Sequence, residues 1–266
     1  MSRYGCDTRG KLNIFVWAIL DSFPRTIRRI INPELDRKLQ SFLDVLCRNI
    51  VVKVEDVKYS VPDSHGLYIL SPEYERGVWK YLKPKKGEVF VDIGAHAGKY
   101  ALQVAKIVGN QGLVIAVEPS PENYQALLTG IYSNELENIL PLNIAAWKED
   151  CKLKLFIGDV SGHHSIKKDM GFGYVEVEAR AMDNVIEEVG INHVDWIKID
   201  VEGAEVEVLE GLRNTLRKYA PKVIVEVLKE NQKVIREFME AHGYTVLPIK
   251  GLEGHNLGYF YCEKHS

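Results

Sequence analysis

The sequence predicts an α/β protein: a doubly wound, mostly parallel sheet with a terminal antiparallel strand pair and an N-terminal helical extension. Three observations predict it. Five apolar runs have the composition of strands buried on both faces: EVFVDI (88–93), LVIAVE (113–118), ILPLNI (139–144), VDWIKID (194–200) and KVIVEV (222–227). Helical stretches separate most of them, at Tyr100 to Val108, Pro121 to Ser133, Ala204 to Tyr219 and Glu230 to His242, and such alternation builds parallel sheets. The last two runs, YTVLPI (244–249) and LGYFYCEK (257–264), are joined through KGLEGHN and read as the antiparallel pair.

The elements before the first buried strand are less regular. Residues 11–48 have a helical pattern, broken at Pro24 and restarting at Asn32-Pro33, where Asn caps and Pro suits the first turn. VVKVEDVKYSV (51–61) alternates and predicts a strand, and GLYIL (66–70) pairs with it as a hairpin across PDSHG. SPEYERGVWKYL (71–82) opens as a helix and stops before Pro84 and Gly87. Only residues 151–185 interrupt the later alternation. Their LKLFIG, SGHHSI and YVEVEARAMD predict short strands around an exposed loop.

Composition excludes several classes. A chain of 266 residues with 46% hydrophobic and 27% charged residues is ordinary for a globular protein. Its net charge of −3 gives no reason to expect a nucleic-acid binder. Cys6, Cys47, Cys151 and Cys262 contain no CxxC pair, which argues against a disulfide framework or a zinc site and fits a reducing, cytoplasmic setting. The longest N-terminal apolar run, Leu12 to Leu20, is too short to span a bilayer, and no small-residue cleavage site follows it, so it reads as a packing helix. RTIRRIIN (25–32) sets Arg25, Arg28 and Arg29 beside isoleucines. It suits peripheral contact with an anionic membrane or an acidic glycolipid acceptor, although a solvated helix face is the commoner use of such a pattern.

The stretch FVDIGAHAGKY carries the first chemistry. Asp92 ends a buried strand, and Gly94 and Gly98 remove side chains from the loop leading to a helix. In open α/β sheets ligands bind at such strand ends. A tight turn with no ligand is the alternative. The spacing is not GxGxxG, and His96 occupies the middle position, which weakens a dinucleotide reading. Glu118 ends the next strand, where a carboxylate accepts hydrogen bonds from the ribose of an adenosine. Asp92 would repel a pyrophosphate but tolerate a sulfonium or ammonium, so the ligand is expected to be cationic near its centre.

With VDIGAHAGKY, VIAVEPSPENYQAL, NIAAW and WIKIDVEGAEVEVLEGL in order, the chain resembles the FkbM-type methyltransferases over roughly residues 65–250. KIDVEGAE (198–205) is the most specific block. The resemblance implies the seven-stranded, Rossmann-like class I methyltransferase fold, with S-adenosylmethionine as cofactor and O-methylation of a sugar or other small molecule as activity. It implies that the loop Asp92–Gly98, with Gly94, Ala95 and His96, cradles the methionine part. Glu118 would hold the ribose, Pro119 and Ser120 would flank the adenine, and Ala145 and Ala146 would present backbone to its edge. Ala181-Met182-Asp183 replaces the Thr-Leu-Asp usual in the family, a change read as tolerated. A boundary follows: residues 1–60 as a helical extension with a first strand, and 61–266 as the methyltransferase domain.

Methyl transfer is an in-line displacement from a donor already reactive, so the protein chiefly aligns the reactants and, for a hydroxyl acceptor, handles its proton. Asp200 stands where class I enzymes bring acceptor and methyl together, with a helix-capping role near Gly203 as the alternative. Glu202 could act as a base, a ligand or a hinge. His163, with His164, lies in the irregular segment over the site and suits general-base work, although most loop histidines are simply solvated. Glu75 could help close the cofactor pocket or be an exposed helix charge. Asp200 and Glu226 end adjacent strands and could share a divalent ion, which is not expected here. The alternatives are N-methylation of a small molecule or protein, a nicotinamide-dependent oxidoreductase, and a degenerate adenosine-binding module. The acceptor pocket falls to the extension and residues 155–185. The N-terminal helices would serve equally as a cap on the site or as a dimer interface.

Overall fold

The computed structural model describes residues 5–21, 33–252 and 257–264. Helices α1 (Thr8–Asp21) and α2 (Pro33–Cys47) precede strands β1 (Val51–Val54) and β2 (Val57–Ser60) and helix α3 (Ser64–Ile69). The alternating part runs β3 (Val89–Ile93), α4 (Lys99–Val108), β4 (Leu113–Val117), α5 (Pro121–Ser133) and β5 (Ile139–Leu142). Three short strands follow, β6 (Ala145–Trp147), β7 (Cys151–Phe156) and β8 (Tyr174–Ala181). The rest is α6 (Met182–Val189), β9 (Trp196–Ile199), α7 (Glu205–Glu210), α8 (Arg213–Tyr219), β10 (Lys222–Leu228), α9 (Gln232–Ala241), β11 (Tyr244–Pro248) and β12 (Leu257–Lys264).

The main sheet has seven strands in the order β11-β12-β10-β9-β3-β4-β5. β12 is antiparallel to both of its neighbours, and the remaining pairs are parallel. The chain winds from β3 outward to β5 and then returns to the other side of β3 at β9. The carboxyl ends of β3 and β9 therefore flank the topological switch point, where such sheets bind ligands. Alternation along each strand divides the core. Phe90, Trp196 and Ile224 face α4 and the N-terminal segments, burying Ile14, Leu43 and Tyr59 with them. Val91, Ile197 and Val225 face the helices that follow β8. A second sheet, β6-β8-β7, stands beside the carboxyl edge.

Three expectations are corrected. Residues 51–61 form a hairpin on their own: Glu55 and Asp56 take φ of 48° and 66°, the left-handed pair of a tight two-residue turn, without a glycine to announce it. Residues 66–70 fall at the helix α3, because Asp63 caps it by accepting the Gly66 N–H at 2.7 Å. Residues 71–82 form turns with one short 3₁₀ segment at Val78–Lys80, so Glu75 lies on a left-handed turn (φ 53°) and not on a helix. The stretch 204–219 also splits into α7 and α8. Gly211 passes so close to the strand β6 that a Cβ would meet the Trp147 carbonyl oxygen at 2.1 Å, and Asp183 caps α8 through Asn214 N and Thr215 N. Cys6, Cys151 and Cys262 form no disulfide. Among the described residues no helix is long and apolar enough to cross a membrane. The arginine-rich stretch 25–32 lies outside the described residues.

Candidate active site

The loop after β3 is held from three sides. Gly94 N and Ala95 N both donate to the Val117 carbonyl at 2.9 Å, which bends the chain towards the end of β4. His96 takes a left-handed φ of 51°, and its N–H donates to Glu118 Oε2 at 2.8 Å. Ser120 N donates to Glu118 Oε1 at 2.9 Å, so both carboxylate oxygens are oriented by backbone. Burial still pushes the Glu118 carboxyl up to about 7, against these two bonds. Asn143 Nδ2 ties down the carbonyls of Glu118 and Pro119, at 2.8 and 3.1 Å.

The glycines also serve the packing of the chain against itself. A Cβ on Gly98 would meet Leu127 Cδ1 at 2.7 Å and Leu102 Cγ at 2.9 Å, so this glycine lets α4 and α5 pack. A Cβ on Gly94 would strike the Asp200 carbonyl oxygen. Both φ values are positive, 80° at Gly94 and 87° at Gly98, which independently favours glycine.

A row of buried charges crosses the sheet behind this loop. Asp92 and Lys198 are register partners on β3 and β9. Asp92 is fully buried and neither oxygen is hydrogen-bonded, so burial pushes it up to about 6 although Lys198 pulls it down. Lys198, 3% exposed, donates to Asp200 Oδ2 at 2.9 Å, and the surrounding carboxylates hold it charged despite its burial. Asp200 is 25% exposed and opens to the cavity. Glu75 Oε2 accepts from Tyr100 at 2.7 Å, while the Tyr259 hydroxyl lies 2.5 Å from both Glu75 Oε1 and Glu226 Oε2. A phenol has one proton, so making both bonds requires a second proton on one carboxyl. Burial and neighbouring Asp200 raise Glu226 well above the ordinary carboxyl range, which identifies it as the protonated partner. Glu75, Asp200 and Glu226 each bring one oxygen within 4.8 Å of the others, a spacing that would admit a divalent ion. The bonds from Lys198, Tyr100 and Tyr259 already supply positive or donor character there.

One cavity of about 260 Å³ joins these parts. Glu75, Gly94, Ala95, His96, Glu118, Pro119, Ala145 and Ala146 line it, as do Asp200, Glu202 and His163. Asp92 lies behind the wall and Gly98 in the helix packing; neither is on the lining. Glu202 sits on a left-handed turn (φ 50°), and burial pushes its carboxyl up to about 8 with Asp200 adding to it. Glu205, at the start of α7, performs the capping foreseen for Asp200, accepting from Gly203 N at 2.8 Å and from Asn231 at 2.7 Å. His163 is at the rim, its side chain 47% exposed and bonded to Asp159 at 2.8 Å. His164 accepts from Gly158 N at 3.0 Å, and burial lowers its pKa.

Sequence reasoning missed Lys99, Lys198, Tyr100, Asn123, Ser161 and Tyr259. Lys198 was within reach, since residues two apart on a strand share a face and place it beside Asp200. Lys99 is buried under Tyr74, donates to its carbonyl at 2.5 Å, and is lowered by burial to about 8.

Residues 92–246 match the model of the methyltransferase FkbM domain. The chain is 24% identical over 179 residues to Methyltransferase 1 of Beauveria bassiana, covering 59% of this chain and 72% of that protein. It is 26% identical over 145 residues to the hexuronic acid methyltransferase AglP of Haloferax volcanii, covering 54% of this chain and 57% of that protein. Among solved structures, an FkbM methyltransferase from Methylobacillus flagellatus superposes with a TM-score of 0.51 at 16% identity, over 96% of this chain and 62% of that one. A putative rRNA-methylase from Clostridium thermocellum gives 0.50 at 12%, over 72% of this chain and 94% of that one. At such identities the two superpositions speak for the fold alone.

Proposed function

The chain belongs to the methyltransferase FkbM domain family, and from that premise we propose that it methylates a hydroxyl of a saccharide or similar small molecule, using S-adenosylmethionine. The observation that carries the reading is the single cavity in which the backbone-oriented Glu118 and the lysine-paired Asp200 both open.

The residues present fit the cofactor. Glu118 accepts from a ribose hydroxyl through a lone pair left after its two backbone bonds. Buried His96 Nδ1 and Asn123 Oδ1 have no partner within the protein and would gain one from a ligand. Pro119, Ala145 and Ala146 offer an apolar edge to the adenine, and Glu75 and the Ala95 loop lie towards the methionine part. S-adenosylmethionine, when bound, supplies a methyl group already activated on a sulfonium. The chain is therefore left with orientation and with one proton. Asp200, hydrogen-bonded to the Lys198 ammonium, accepts the proton of the acceptor hydroxyl. Glu202, held near 8, carries its own proton at neutral pH and donates to an acceptor oxygen rather than acting as base. His163 contacts the acceptor from the rim.

The acceptor end of the cavity holds Asp200, Glu202 and Glu226 with Lys198, and Lys99 lines the same cavity beside Glu75. That balance suits a neutral polyol better than an anion, and the name of the relative AglP supports a sugar. Asp200 would equally take the proton of an amine acceptor, whose freed lone pair attacks the methyl group, which makes N-methylation the second reading. The test is transfer of label from methyl-labelled S-adenosylmethionine to panels of glycosides and of amines, with Asp200→Asn in parallel. Labelled methyl ethers, reduced about 100-fold or more in the variant, support the proposal. Label on amines alone overturns it.

A further inference from the structure

Ser161 sits where four parts of the chain meet. Its backbone N–H and its hydroxyl donate to Asp63, to Oδ2 and Oδ1 respectively, each at 2.7 Å. Its carbonyl accepts from Asn123 Nδ2 at 2.9 Å, and its Oγ lies 2.9 Å from His96 Nε2. Asp63 is the cap of α3, Asn123 belongs to the first turn of α5, His96 is on the loop after β3, and Ser161 itself lies between β7 and β8.

Proton counting fixes the direction of this chain. The single hydroxyl proton of Ser161 goes to Asp63, so the bond between Ser161 and His96 requires the proton on His96 Nε2. His96 Nδ1 is then a bare lone pair, buried and without a partner, and Asn123 Oδ1 is in the same condition. His96, Asn123 and Ser161 all line the cavity. The His96 N–H is bonded to Glu118, so His96 stands beside the carboxylate assigned to the ribose. Acceptors without donors match a ligand that brings hydroxyl hydrogens.

We propose that Asp63, Ser161 and His96 form a fixed relay holding His96 as its Nε2–H tautomer, so that Nδ1 accepts a hydrogen bond from one ribose hydroxyl of the bound cofactor while Glu118 accepts from the other. The inference rests on the adenosine reading given above. Ser161 is then a positioning residue: it couples cofactor affinity to the seating of residues 158–166 over the cavity. A proton on Nδ1 removes the acceptor. Burial holds the His96 pKa down at about 4; Asp63 and Asp200 pull it up, while His65 and His164 push it down. Glu118 faces His96 through its backbone. The His96 contribution to binding is therefore constant through neutral pH and is lost as the pH falls towards 4, while the titration of Glu118 near 7 is common to the unmutated protein and its Ser161 variant. Without the Ser161 hydroxyl, Asp63 loses a donor and favours a charged imidazole, which moves the fall to higher pH.

The experiment is calorimetric titration of the full chain and of Ser161→Ala with S-adenosylhomocysteine from pH 5 to 8, together with ¹⁵N NMR of the His96 ring in the unmutated protein. The expected result is a loss of about 3- to 10-fold in affinity at neutral pH, larger at pH 5.5, and an Nε2–H signature for His96. Equal affinities and pH profiles in the two proteins overturn the relay, as does an Nδ1–H tautomer, which needs no variant to detect. Failure of the unmutated protein to bind S-adenosylhomocysteine overturns the adenosine reading itself, a different outcome from binding that ignores Ser161.

Discussion

The Cβ that Gly94 lacks would lie 1.7 Å from the carbonyl oxygen of Asp200. The loop after β3 and the end of β9 are thus in backbone contact, with Asp200 N also bonded to the Ile93 carbonyl at 2.9 Å. Any side chain at position 94 must push the two apart, and φ of 80° adds backbone strain. Gly94→Ala is expected to cost about 3 kcal/mol or more. Chemical denaturation reads this directly, and a variant of unchanged stability would refute the contact.

Lys198 is the buried cation between Asp92 and Asp200. Lys198→Met leaves those carboxylates uncompensated, and removing one partner of a buried pair costs about 3–5 kcal/mol. The loss should shrink as the pH is lowered and Asp92, held near 6, takes up a proton. Urea melts at pH 5 and 7.5 test this; a variant equally destabilised at both would mean that packing, not charge, was lost.

The raised carboxyls set the pH dependence of stability. Glu118 and Glu202, held near 7 and 8, keep protons in the folded chain that unfolded glutamates have released. Stability supplied this way is present at low pH and is lost as pH rises through those values. His96 and His164, both lowered, act in the opposite sense below about 6.5, and Lys99, lowered to about 8, does so as the pH nears that value, so the slope is clean between about 6.5 and 7.5. The unfolding free energy without ligand should therefore fall from pH 6.5 to 7.5, by up to about 1.4 kcal/mol per pH unit for each group, with the melting temperature falling alongside. Glu118→Gln should flatten the slope. A flat or rising profile in the unmutated protein would show Glu118 to be ionised.

Tyr259 shares its hydroxyl between Glu75 and Glu226. Tyr259→Phe strands both carboxyls and should cost about 1–3 kcal/mol. Because the residues act as one unit, the loss in a Tyr259→Phe, Glu226→Gln double variant should fall short of the sum of the singles. Additive losses in a thermodynamic cycle would show that no proton is shared.

Much of this was legible in the chain. Pro121–Ser133 and Leu257–Lys264 fall where their apolar periods and end signals put them, because long periodic segments encode their own burial. The hairpin at 51–60 was harder, since Glu55 and Asp56 adopt left-handed angles that usually announce themselves by Gly or Asn. Around Glu75 the conformation is set from outside, by Tyr100 and by Tyr259, 184 residues away. The same holds in the cavity. Asp92, Gly94 and Glu118 form a local motif that can be read in order. Ser161 joins His96 across 65 residues and Asp63 across 98, and no local pattern marks a serine for that place.

The central claim, an adenosine site organised by Glu118, is tested most directly by calorimetric titration of the purified protein with S-adenosylhomocysteine, beside NAD and a Glu118→Ala variant. The expected result is micromolar binding of S-adenosylhomocysteine (~8 kcal/mol) that disappears in the variant, with no binding of NAD. Binding of NAD in place of S-adenosylhomocysteine, or equal binding by the variant, would contradict it.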